Sequence, residues 1–170
     1  MPHKNLAVEL LNKLINDEVK SKFRTNVVKQ KKFSDLLQNA LSKYQNRSIE
    51  AAQVIAELIE MAKEFKQDLE KSEQLNLNPA ENAFYDALSN NKSAEEVMGE
   101  EVLIKIAREI AEILRKNVTV DWAVRDSVRA KLRVLVKTLL KRYKYPPDQQ
   151  EKATELVLSQ AAVISDELAA

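Results

Sequence analysis

Cysteine is absent from the 170-residue chain, which removes disulfides, thiolate nucleophiles and thiolate metal ligands. Glycine is nearly absent as well, since Gly99 stands alone. Nucleotide folds need several glycines so that backbone N–H groups can approach a phosphate closely, so Walker and Rossmann sites are excluded. Histidine is reduced to His3, next to a terminus expected to fray, which disfavours both imidazole catalysis and a structural zinc set. Aromatic residues make up 5% of the chain, and its one tryptophan, Trp122, reads as a core anchor rather than a base-stacking platform. Charge of one sign is missing too: 27 basic residues oppose 26 acidic ones, so no global field draws the chain to nucleic acid or membrane. The stretches lacking charge, such as Leu156 to Ser165, reach about half the ~20 residues of a spanning helix. The first residues also lack the apolar core of a secretory leader, so the expectation is a cytoplasmic protein without a membrane segment.

What the chain does have is 45% hydrophobic residues spaced almost throughout at the helical period. The reading is all-α, a bundle of six to eight helices. A polar stretch from Ser72 to Asn78 suggests two helical parts, 1–75 and 76–170, with one compact unit as the alternative. The first helix is expected to bury Leu6, Leu10, Leu11, Leu14 and Ile15, and to fade into a basic connection from Lys20 to Lys32. Ser34 is then the expected N-cap of a helix burying Leu36, Leu37, Ala40, Leu41 and Tyr44. Ser48 is expected to cap a rod of roughly six or seven turns through Ile55, Leu58, Ile59, Ala62, Phe65 and Leu69.

Asn78-Pro79-Ala80-Glu81 is a capping box with proline at the first helical position, and predicts a helix start. Ser93-Ala94-Glu95-Glu96 predicts another, stopping near Gly99. A helix through Leu103, Ile106, Ala107, Ile110, Ile113 and Leu114 should close in Arg115-Lys116, where cations suit the helix dipole. Asn117 to Val120 reads as a connection, with Thr119 or Asp121 capping a helix through Val124, Val128, Leu132, Leu135, Val136 and Leu139. Pro146-Pro147 should end that helix and open the last one, which buries Ala153, Leu156, Val157, Ala161 and Ile164.

Chemistry is scarce in this pattern. Glu95, Glu96, Glu100 and Glu101 lie at helix starts, where acidic side chains offset the dipole. Two basic clusters remain. Lys20, Lys22, Arg24, Lys29, Lys31 and Lys32 have no acid between them, and Arg125, Arg129, Arg133, Lys137 and Lys141 recur every four residues. That spacing draws a slowly drifting positive stripe along one helix. The stripe could neutralise DNA phosphates, meet an acidic protein surface, or stay hydrated while its stems cover apolar neighbours.

The segment 117–158, with its Val-Asp-Trp step, the run from Arg129 to Val136 and Tyr145-Pro146-Pro147-Asp148, resembles the C-terminal region of the R (restriction) subunit of type I restriction-modification enzymes. Tyr44-Gln45-Asn46-Arg47, Glu50 to Ile55 and Ala83 to Leu88 are similar to the same region, so the likeness spans about residues 5 to 165. The resemblance implies a helical end domain of a subunit whose nuclease and ATP-driven motor lie upstream. ATP and Mg are implied for those parts, and no cofactor, metal or catalytic residue is carried onto this chain. The implied partners are the methyltransferase and specificity subunits, and the implied role is docking or organising the complex on DNA. Direct contact with duplex DNA through Arg125, Arg129, Arg133, Lys137 and Lys141, or a purely structural bundle, are the other expectations.

Overall fold

The computed structural model describes the backbone of residues 2–46, 49–117 and 126–169 and the side chains of residues 6–46, 49–117 and 127–165. Ser48, Thr119, Asp121, Trp122, Val124, Arg125 and the side chain of His3 lie outside the described residues. Among the described residues eight helices follow one another: α1 (Pro2–Lys22), α2 (Val27–Gln45), α3 (Ala51–Gln74), α4 (Pro79–Ser89), α5 (Lys92–Met98), α6 (Glu100–Asn117), α7 (Asp126–Arg142) and α8 (Gln150–Ala169). Among the described residues there is no strand, and the all-α expectation holds. No helix among them is long and apolar enough to cross a membrane. The chain divides into two compact units, Met1–Arg24 with Lys29–Asn76, and Thr25–Val28 with Leu77–Ala170.

In the first unit, α1, α2 and α3 share one core. Its centre is aromatic: Phe23 stacks on Phe33 with ring centroids 6.1 Å apart, and Phe65 meets both edge-on at 5.3 and 5.4 Å. Each edge-on pair adds about 0.5–1.5 kcal/mol to the apolar burial. This cluster decides which face of α1 turns inward. Val8, Leu11, Ile15 and Val19 form the stripe that leads into Phe23, whereas a line through Leu6, Leu10 and Leu14 runs out at the charged pair Asp17-Glu18. Those three leucines, expected inside, are therefore 55%, 53% and 62% exposed. Ile59 of α3 is likewise exposed, while Val54 and Met61 are buried.

The connection expected over Lys20 to Lys32 is also corrected. Phe33 has to arrive on a helix to reach Phe23 and Phe65, so α2 begins at Val27 and Ser34 is an exposed interior residue rather than a cap. The turn is short because the Gln30 amide donates to the carbonyls of Phe23 and Arg24, both at 2.7 Å, serving acceptors that the end of α1 leaves open. At α3, Glu50 is the N-cap, and its N–H donates to Gln53 Oε1 at 2.9 Å.

In the second unit α4 is the buried element, with Ala83 to Leu88 all inaccessible. It packs on α5, α6 and α8, and α7 packs on α6 and α8. The expected capping box is present: the Glu81 N–H donates to Asn78 Oδ1 at 2.8 Å and the Asn78 N–H to Glu81 Oε1 at 3.0 Å. The second expected box is not the cap used. Asn91 starts α5, its Oδ1 accepting from the Ser93 N–H at 3.0 Å and the Ser93 hydroxyl at 2.9 Å, because an asparagine two residues earlier makes the Asx turn first. Gly99 ends α5 at φ +81°, in the half of the map glycine enters freely.

The end of α7 departs from expectation in its chemistry. The Tyr145 N–H donates to the Leu140 carbonyl at 2.9 Å and the Lys144 N–H to that of Lys141 at 3.0 Å, the double bond of a Schellman cap. Lys144 occupies its left-handed position at φ +61°, where glycine is usual. The two prolines lie in the turn that follows, and α8 starts at Gln150. Tyr145 is buried, its hydroxyl donates to the Leu88 carbonyl at 2.7 Å, and burial pushes its phenol up to about 12.

Two substitutions should therefore move stability in opposite directions. Lys144→Gly relieves the left-handed strain and should raise the unfolding free energy by about 0.5–1 kcal/mol. Tyr145→Phe orphans the Leu88 carbonyl and should lower it by about 1–2 kcal/mol. Urea denaturation read by circular dichroism checks both, and equal midpoints for the two variants would contradict the assignment.

Candidate interaction surface

The stripe of α7 lies beside an apolar face made by Leu132, Val136, Leu139 and Leu140. Arg129, Arg133, Lys137 and Lys141 follow one another at single-turn intervals, and Arg125 falls outside the described residues. Its middle is paired. Helix α8 presents Glu151 and Glu155 with the same spacing of four, so that the Arg133 guanidinium meets both carboxylate oxygens of Glu155 and Lys137 Nζ sits 2.9 Å from Glu151 Oε2. The hydrogen bond and charge of Lys137, with Arg133 adding, hold the Glu151 carboxyl below its usual range. One turn on, Arg142 Nη2 lies 3.3 Å from Glu109 Oε2 of α6. Arg129 and Lys141 remain exposed, as does Val134, at 62%. Among its described residues the stripe thus has two separate exposed cations, Arg129 and Lys141, on either side of a paired centre.

The N-terminal basic run is treated similarly. Lys29 and Lys32 approach Asp68 Oδ2 of α3 at 3.1 and 2.7 Å, Lys32 also reaches Glu64 at 2.9 Å, and Lys31 pairs with Asp35 at 3.0 Å. Burial pushes the Asp68 carboxyl up, but hydrogen bonds and charge from Lys32 and Lys29 outweigh it and leave the group below the carboxylate range. Lys20 and Lys22 are exposed.

A buried polar group that spacing alone does not reveal belongs to the second unit. Asn26 Nδ2 donates to Asp86 Oδ2 at 2.7 Å, Gln160 Oε1 accepts the Val27 N–H at 2.8 Å, and the Gln160 amide donates to the Thr25 carbonyl. Asn26, Asp86 and Gln160 are all buried. These bonds hold Thr25, Asn26 and the start of α2 at Val27, so the side chains position backbone. A cleft of about 470 Å³ is lined by Ala80, Ala111, Leu114 and Ile164, and among the described residues Arg115 is its one ionisable side chain. Among the described residues no group of three or more His, Cys, Asp or Glu side chains is placed to hold a metal ion.

Comparison with known proteins gives this surface its context. Residues 1–167 match the family model described as type I restriction enzyme HindI endonuclease subunit-like, C-terminal. The chain belongs to that family. It is 44% identical over 167 residues to the type I restriction enzyme HindI endonuclease subunit of Haemophilus influenzae, covering 98% of this chain and 16% of the relative. It is 30% identical over 139 residues to a protein provisionally named the type I restriction enzyme MjaIXP endonuclease subunit of Methanocaldococcus jannaschii, covering 81% of this chain and 13% of that protein. The chain therefore spans about one-sixth or less of the length of these curated relatives. No solved structure matches it.

The acid response of this endonuclease-subunit region follows from Asp68. A carboxyl held low in the folded state stabilises above its unfolded value near 3.9, and that contribution is lost as pH falls through the lower folded value. Asp68→Asn should cost about 1–2 kcal/mol at pH 7 and flatten the loss of stability below about pH 4. Denaturation midpoints across pH 2 to 7, on the order of the range where carboxylates titrate, test this; an unchanged acid limb would remove Asp68 as its source.

Proposed function

We propose that this region is a protein-docking module, holding the endonuclease subunit of a type I restriction enzyme against its methyltransferase core of methyltransferase and specificity subunits. In this reading it contributes to assembly of the ATP-dependent DNA translocation and cleavage complex without performing bond chemistry. The observation that carries it is the family match over residues 1–167, joined to a surface whose exposed groups are suited to contact. Arg129, Val134 and Lys141 offer two cations and an apolar side chain on one helix, the mixed composition of a specific interface rather than of a phosphate track.

Direct duplex binding by the same helix is the competing reading, motivated by the exposed Arg129 and Lys141. Its weakness is the pairing at the centre. Phosphates approaching Arg133 and Lys137 would meet Glu155 and Glu151 as well, so few counterions are released and the electrostatic gain is small.

Co-elution of the chain with its cognate methyltransferase core, and competition with the intact endonuclease subunit, tests the docking reading. Arg129→Glu combined with Lys141→Glu should weaken capture by about tenfold or more, on the scale of losing a rim charge pair at each site. Absence of co-elution ends the docking proposal. If the chain instead binds a duplex at low salt with a steep salt dependence that the double variant flattens, the DNA reading replaces it.

A further inference from the structure

In the second unit a pocket of about 300 Å³ lies between the start of α5 and the first turn of α8. Its apolar lining comes from Ala87, Ala153 and Leu156, and its polar lining from Asn90, Asn91, Lys92, Gln149 and Lys152. Among the described residues no carboxylate lines it. Both lysines are exposed, and neither has an ion pair among the described residues, in contrast to Lys32 and Lys137, which are held by acids of a neighbouring helix. Here two cations converge on one cavity without a counter-charge in its wall.

Asn91 adds a donor whose sense is fixed. Its Oδ1 is taken by the Ser93 N–H at 3.0 Å and the Ser93 hydroxyl at 2.9 Å, which leaves Nδ2 buried with no acceptor among the described residues. A buried donor left unpaired is costly, so an acceptor brought into this pocket answers an unmet group as well as two charges. The Gln149 amide donates to the exposed Asp148 at 3.2 Å, which ties that carboxylate to a neighbouring side chain.

We propose that this pocket binds a phosphate group, either inorganic phosphate or the terminal phosphate of a monoester. Two unpaired ammonium groups match the charge of about −1.5 to −2 that such a group carries at neutral pH, whereas a single carboxylate balances only one of them. Its oxygens accept and do not donate, which suits a lining of lysines and an orphaned amide N–H. The pocket offers no stacking surface for a base: Tyr145, the one ring in its described lining, is 1% exposed and its hydroxyl is engaged by Leu88. Two cations in a small cavity also release too few counterions to hold a duplex, while ~300 Å³ is the lower end of small-ligand pockets. The site draws nothing from the docking reading, because Lys92 and Lys152 lie outside the α7 stripe.

Amide-detected NMR titration of the chain with sodium phosphate, at an ionic strength held constant with sodium chloride, decides the question. Saturable shifts are expected at the Asn91 side-chain amide and at the backbone of Lys92 and Lys152. Lys92→Gln with Lys152→Gln should weaken binding about tenfold or more. Because both side chains are exposed and unpaired, the melting temperature should stay unchanged in that variant, which separates loss of the site from loss of fold. Adenosine monophosphate is the second arm: affinity equal to that of phosphate assigns the site to the free anion, and lysine-dependent binding about tenfold tighter assigns it to a monoester. Shifts that never saturate, saturation that the double variant leaves untouched, acetate binding as tightly as phosphate, or lysine-dependent binding of duplex DNA without binding of phosphate would each overturn the proposal.

Discussion

The second unit depends on the burial of α4. Six consecutive residues, Ala83 to Leu88, are removed from solvent, which an amphipathic helix never requires and which leaves no hydrated side to absorb polar groups. Each such group must then find a partner or cost a few kcal/mol. Asp86 finds the Asn26 amide, and the Leu88 carbonyl, released at the helix end, finds the Tyr145 hydroxyl. Those two bonds explain features far apart in the chain. The α1–α2 turn carries an asparagine at 26, and the corner after α7 tolerates a strained lysine at 144 because the cap delivers Tyr145 to Leu88.

Part of the charge of each basic cluster is satisfied within the chain. The two basic clusters look alike as strings of cations, yet helices packed beside them bring carboxylates against both: Glu151 and Glu155, four residues apart like Arg133 and Lys137, and Asp68, which takes both Lys29 and Lys32, with Glu64 adding to Lys32. The equal spacing on α7 and α8 aligns those two helices in register, although each exposed pair contributes only about 0–1 kcal/mol. At those pairs the carboxylates also lower the positive field that a polyanion would meet.

How much of this was legible from residues alone depends on the range of the interaction. The box at Asn78 to Glu81 involves four neighbouring residues and is read directly, as is the apolar face of α6 from Leu103 to Leu114. The start of α2 was misread because serine at 34 is a good local cap, while the reason for helix at Val27 is Phe33 meeting Phe23 and Phe65, a tertiary contact. Position 91 outranked 93 for an equally local reason, the earlier Asx turn, which two adjacent cap residues leave ambiguous. Tyr145 drew notice only through the likeness of its Tyr-Pro-Pro-Asp step, since its partner, Leu88, lies 57 residues away.

Helix α1 shows the same limit in its sharpest form. Its leucines outnumber its valines, and hydrophobicity alone would turn Leu6, Leu10 and Leu14 inward. Geometry overrules this, because a helix has one face for a given core and the stripe continuous with Phe23 excludes the other. A sequence that kept two apolar lines on one helix for folding alone would gain nothing from the outer one, and an exposed line of leucines invites aggregation. The core of the first unit therefore does not call for the outer line: Leu6, Leu10 and Leu14 stay more than half exposed while Val8, Ile15 and Val19 fill the buried side.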